Sequence, residues 1–205
     1  LENNNKKIVS INPLDIDMKN SGPKFFLFPK NLDKIKYNFN KNYEINILLI
    51  QGGGDSNNQL SKIVNFLIKN KRKIKYEFKI ITKKLDNKNL SNNKNIKIIN
   101  YCKDVSKIYK GIHIAISSVG NTSFELGKIG IPTIHYTVEK REINRAKIFQ
   151  NKKLGIYVNK NNMYSIINEL NKIYLNDNYR KKLIETRKKY FQKKNKLLSL
   201  IKNEI

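Results

Sequence analysis

Acidic residues are few: 16 Asp and Glu stand against 42 Lys and Arg in 205 residues, a formal net charge of +26. Cysteine is scarcer, with Cys102 alone, so neither a disulfide framework nor a cysteine-rich metal site can be built, and a reducing, cytoplasmic setting is expected. Long apolar runs are missing, none approaching the ~20 residues that span a bilayer. The opening residues lack the charged, apolar and small-residue regions of a secretory signal. The chain also opens at Leu1 without an initiator Met, and a piece of something longer is expected. Histidine is limited to His113 and His135, and neither is spaced with other His, Cys or carboxylates as metal ligands are. No metal and no cofactor is implied.

Arginine is rare as well. It supplies five of the 42 basic residues, while Lys, Asn and Ile together make up about half of the chain. Those three have codons rich in A and T, and a phosphate-reading surface favours the bidentate fork of Arg. The charge therefore reads as drift in composition spread over solvated faces. A basic nucleic-acid or membrane-surface protein remains the alternative of another class, marked by binding that falls steeply with salt.

What is present is a regular alternation. Residues 1–44 are irregular, with one strand-like run at 8–11 and turn signals at Asn12-Pro13 and Ser21-Gly22-Pro23; they read as a connector. From residue 45, short β-branched runs at 45–50, 78–81, 96–99, 112–116, 132–135 and 155–158 alternate with longer polar, periodic stretches. Such runs predict buried parallel strands in βα units, hence an α/β fold with a Rossmann-like parallel sheet. Helical spacing recurs at Leu60, Val64, Leu67 and Ile68, and at Phe124, Leu126 and Ile129. One amphipathic helix is expected from Met163 to Ile173, and a long basic one from Leu183 to Ile201. The domains expected are a connector over 1–44, a ligand-binding α/β domain over 45–175 and a basic C-terminal helix over 176–205.

Two turns carry chemistry. Gln51-Gly52-Gly53-Gly54-Asp55-Ser56 follows a strand and precedes a helix. Gly52, Gly53 and Gly54 let the backbone turn tightly and approach a ligand, and the helix behind them offers free N–H groups to an anion. A purely structural glycine turn explains that run equally well, since it is neither GxGxxG nor a P-loop. Ser117-Ser118-Val119-Gly120-Asn121-Thr122-Ser123-Phe124-Glu125-Leu126 occupies the same kind of place. Ser118, Gly120, Asn121 and Thr122 bring small donors and backbone N–H groups to a spot that suits phosphate. Glu125, one helical turn on, suits the two hydroxyls of a ribose. Here the bland reading is a capping box, Thr122 capping and Glu125 reaching back. Two such turns at the carboxyl ends of strands in one open sheet favour a ligand site.

Gly22-Pro23-Lys24-Phe25-Phe26-Leu27, the Gly52-Gly53-Gly54-Asp55 turn, the 115–126 segment and Gly130-Ile131-Pro132, in that order and spacing, resemble the UDP-sugar hydrolases of pseudaminic acid biosynthesis. That family stands with the spore-coat polysaccharide proteins and, more distantly, the N-acetylglucosaminyltransferase that makes lipid II. The resemblance covers residues 20 to about 158. It implies the C-terminal half of a GT-B fold that holds UDP, with the second turn at the diphosphate and Glu125 on the ribose. Val119 and Asn121 stand where relatives carry Gly and Ser. Glu139-Lys140-Arg141 stands where they carry Glu-Asn-Gln, which makes Lys140 and Arg141 candidate contacts for phosphate charge. His135, ending a strand on the ligand edge, is a candidate substrate contact, whereas His113 reads as a hydrogen-bonded core residue. The glycine-rich stretch that bears the family's proposed catalytic His has no counterpart in residues 1–44.

The function implied is UDP binding for a nucleotide-sugar hydrolase of surface-glycan synthesis, with a glycosyltransferase moving an amino sugar as the runner-up. The partners implied are a UDP-sugar and an N-terminal domain that supplies the base.

Overall fold

A computed structural model describes residues 13, 14, 16, 21–40, 44–51, 58–70, 76–81, 93–99, 102–137, 139–159, 162–197 and 199. Strands β1 (Ile45–Ile50), β2 (Tyr76–Ile81), β3 (Ile96–Ile99), β4 (Ile114–Ser117), β5 (Thr133–Thr137) and β6 (Ile156–Asn159) form one sheet. Their order is β3-β2-β1-β4-β5-β6, and each neighbouring pair is parallel. The helices are α1 (Gln59–Lys69), α2 (Val105–Tyr109), α3 (Asn121–Ile129), α4 (Lys140–Asn151), α5 (Tyr164–Leu175) and α6 (Asp177–Phe191).

The strands are apolar along their length because both faces are covered. Side chains alternate across β1: Ile45, Ile47 and Leu49 join α1 and α5 in one cluster, while Leu48 packs with Tyr109 of α2 and Leu126 and Ile129 of α3 on the other side. A third cluster gathers Phe124, Phe149 and Phe191 with Phe26 and Val119. The connector is part of this packing, for Phe25, Phe26 and Leu32 are buried. The strand-like run at 8–11 lies outside the described residues.

Helix α3 ends at Gly130, whose φ of 92° is the left-handed conformation that closes a helix with little strain for glycine. Its other glycine, Gly127, admits α6: a Cβ there would collide with the Phe191 ring. The basic helix expected to reach Ile201 stops at Phe191. Beyond it the chain pairs with the connector, Asn195 Nδ2 donating to the Phe26 carbonyl at 2.9 Å and the Lys196 N–H to the Lys24 carbonyl at 2.6 Å. Those contacts replace the helix's own hydrogen bonds. Among the described residues no helix is long and apolar enough to cross a membrane.

Candidate functional site

β1 and β4 are neighbours in the sheet although β2 and β3 separate them in the chain. The chain therefore winds away from this seam in opposite directions, which leaves a crevice at the carboxyl ends of the two strands. Ile50 is in register with Ser117. The two turns singled out in the sequence consequently start side by side, about 4.8 Å apart across one strand spacing. Gly52, Gly53 and Gly54 lie outside the described residues. Just beneath the strand ends lies a small void of about 10 Å³, walled by Ile50, Leu60, Ile63 and Ile116 as well as by Gln51, Ser117, Ser118 and Tyr136.

The second turn is held with its carbonyl oxygens drawn into the protein. Ser117 Oγ and Ser123 Oγ both donate to the Ser118 carbonyl, at 2.7 and 2.9 Å, and Arg145 Nη1 donates to the Val119 carbonyl at 3.2 Å. The side chain of Val119, 1% exposed, is anchored among Phe26, Phe124 and Phe149. Val119 is thus part of the core. Ser118 is buried and its carbonyl is engaged. Asn121 and Thr122 open α3 with no side-chain cap, so their N–H groups have no intrahelical acceptor. Over Gly120 the space is open, for a Cβ would meet no atom within 4 Å. With carbonyls turned in and N–H groups at a helix start, the turn presents partial positive charge, the arrangement that binds anions.

Glu125 is half-buried, and Tyr109 Oη donates to its Oε2 at 2.5 Å. Burial raises the carboxyl's pKa, and the Tyr109 bond opposes that rise. Burial, reinforced by the adjacent Glu125 charge, pushes the Tyr109 phenol up out of the ordinary range, so it stays a donor. The capping-box reading does not describe this geometry, since the helix begins at Asn121, after Gly120, and Thr122 is its second residue.

Other sequence candidates fall differently. His135 was expected at a strand end; β5 runs on to Thr137, and the ring sits in mid-strand, fully buried against Phe149. Contact with a substrate at the sheet edge is therefore closed to it. Burial, with the Arg187 guanidinium nearby, pushes its pKa down to about 3. Lys140 is exposed and opens α4 on the same edge as the 118–122 turn; the Arg141 side chain lies outside the described residues. His113 is structural, its Nδ1 accepting from the Asn46 N–H at 2.9 Å. Sequence reasoning missed Arg145, Tyr109 and Arg187. The first lies one helical turn beyond Arg141 on α4; the others show no signal until the helices are packed.

A family model described as the glycosyltransferase family 28 C-terminal domain matches residues 42–202. No curated protein matches the chain. Among solved structures, the spinosyn forosaminyltransferase SpnP superposes with a TM-score of 0.63 at 10% identity, over 87% of this chain and 47% of its own. MurG of Acinetobacter baumannii gives 0.58 at 16% identity, over 78% and 50%. LpCGTa, solved in complex with UDP, gives 0.58 at 10%, over 84% and 42%. The chain spans about half the length of the structures it matches, and at these identities the likeness is one of fold. With the family model spanning more than half of its residues, this chain belongs to the glycosyltransferase family 28 C-terminal domain family.

Proposed function

We propose that this domain holds the nucleoside diphosphate of a UDP-sugar donor for a glycosyltransferase, the diphosphate on the 118–122 turn and the ribose hydroxyls on Glu125. The observation that carries the reading is the capture of the Ser118 and Val119 carbonyls by Ser117, Ser123 and Arg145, which leaves N–H groups facing the crevice at the sheet's switch point. The Gly52-Gly53-Gly54 sequence follows β1, whose Ile50 is in register with Ser117, and we assign it to the same ligand. Lys140 and Arg141 add positive charge from the start of α4.

Transfer breaks the bond between the anomeric carbon and the diphosphate oxygen, and the leaving group gains charge as it departs. Fixed N–H dipoles at the head of α3 stabilise that charge without reorganising, the contribution expected of a preorganised site. The acceptor and the base that activates it belong to a partner domain preceding this one. Hydrolysis, favoured by the resemblance over residues 20–158, differs only in using water as the acceptor. The family match and the transferases among the structural neighbours support transfer to an acceptor other than water.

Calorimetric titration of UDP and 2′-deoxy-UDP into the wild-type chain and Glu125→Ala tests the reading. Charge-assisted bonds to a carboxylate are worth roughly 1.5 to 3 kcal/mol, so the substitution weakens UDP binding about ten- to a hundredfold and abolishes discrimination against the deoxy ligand. Equal discrimination by both proteins removes Glu125 from the site.

A further inference from the structure

Helix α6 carries a guanidinium into the interior behind the turn. Arg187 has no exposed surface. It donates from Nη1 to the Leu154 carbonyl and from Nη2 to the Ser123 carbonyl, the latter at 3.3 Å. Nε has no partner, and among the described residues no carboxylate pairs with the group. Its surroundings are the Phe191 ring, 5.7 Å from the guanidinium, and the neutral imidazole of His135. Burial lowers its pKa to about 9, so it remains a cation at neutral pH.

An unpaired buried charge is expensive, and an apolar side chain of similar length fills such a place at less cost. The two carbonyls it reaches do not need a charge, for a neutral amide satisfies a carbonyl. The placement offers another account. Ser123 takes Nη2 on its carbonyl and sends its hydroxyl to the Ser118 carbonyl, so one residue in the first turn of α3 links the cation to the 118–122 turn. In a poorly screened interior its field adds to that of the turn's N–H groups.

We propose that Arg187 is a positioning residue whose buried charge is the counter-charge of the bound diphosphate, acting through Ser123 and the 118–122 turn without touching the ligand. The inference rests on the nucleotide-sugar reading given above. It makes the charge a debt of the empty protein that the ligand settles. The charge therefore favours ligands in proportion to their phosphate charge, and its cost falls on the empty fold, so a neutral variant that folds unfolds no more easily than the wild type.

The test titrates uridine, UMP and UDP into wild type, Arg187→Gln and Arg187→Lys, with thermal unfolding of each empty protein. Gln is neutral and still donates to carbonyls; Lys keeps the charge. Arg187→Gln is expected to lose about tenfold in UDP affinity and about threefold for UMP, with uridine unchanged, the grading expected of a buried charge acting at a distance. Arg187→Lys keeps most of the preference for UDP. Equal losses for all three ligands, or a Lys variant as impaired as Gln, would overturn the proposal and make the role one of packing. If Arg187→Gln fails to fold, Arg187→Met replaces it; failure of both neutral variants beside a folded Lys variant also overturns it, because the fold itself then requires the charge. Absence of UDP binding by the wild-type chain is a different result. It strikes the nucleotide reading first and this inference with it.

Discussion

Tyr109 ends the short helix α2 and donates a 2.5 Å hydrogen bond to Glu125, a residue of the helix that follows the next strand. The bond fixes one carboxylate oxygen and lowers the pKa of a group that burial raises. Tyr109→Phe removes the donor, so Glu125 takes up its proton at a higher pH than in the wild type. UDP affinity is expected to fall about fivefold at pH 7.5, and further at pH 5.5, where more of the variant's carboxyl is protonated. Calorimetry at both values checks this; an identical variant-to-wild-type ratio at the two would show that the phenol does not tune the carboxylate.

Arg145 is half-buried on α4 and holds the Val119 carbonyl at 3.2 Å. Arg145→Met keeps the length of the side chain and removes the donor, freeing that carbonyl to turn toward the crevice. A hydrogen bond from a charged group is worth roughly 1.5 to 3 kcal/mol and this one is made without ligand, so the unfolding midpoint is expected to fall, and UDP affinity to drop about tenfold as the freed carbonyl meets the phosphate. Unaltered UDP affinity in the variant would show that the carbonyl stays inward without help.

His135 makes stability depend on pH. Folded, it binds a proton only near pH 3, whereas an unfolded histidine does so near 6.5. Between those values the unfolded chain binds more protons, and stability falls as the pH drops through the window. His135→Leu removes this contribution: the loss of unfolding free energy between pH 7 and pH 5 is expected to be smaller in the variant by ~2 kcal/mol. Urea unfolding at the two values measures it, and parallel losses would mean that the imidazole finds a proton partner inside the fold.

Gly127 meets Phe191 where α3 and α6 cross. Gly127→Ala overpacks that crossing and is expected to cost roughly 1 to 3 kcal/mol despite alanine's better helix propensity. Adding Phe191→Leu recovers part of the loss if the clash is its cause, a coupling that a double-mutant cycle reads directly. Strict additivity would place the cost elsewhere.

Much of the architecture was legible because buried parallel strands leave a plain trace. The bounds of β1 and β3 match their apolar runs, while β4 and β5 begin or end one or two residues away from theirs. That small shift at β5 moved His135 from a strand end into the core. Helix α2 was overlooked, since five residues cannot show a helical period; its mark is the Asp104 cap, which accepts the Ser106 N–H at 3.1 Å. The apolar period of α6 is interrupted after Phe191, where Asn195 and Lys196 pair with Phe26 and Lys24 instead; Leu198 and Ile201 lie outside the described residues. Arg187 could not be singled out in so basic a sequence. Its burial is decided by how closely α6 approaches α3, and that depends on a glycine a helix away.

The seam between β1 and β4 has a consequence for how this protein varies. Because the crevice arises from the direction in which the chain is wound, and the strands beneath it are secured by apolar contacts on both faces, the residues at its rim carry little of the work of folding. They are free to change with the ligand. Val119 is the exception in the turn, its side chain packed into the core with Phe26, Phe124 and Phe149. The sheet is thus separable from the segments that follow its strands, and substitutions at the exposed positions of the turn and of α4 can be made while the sheet stays as it is.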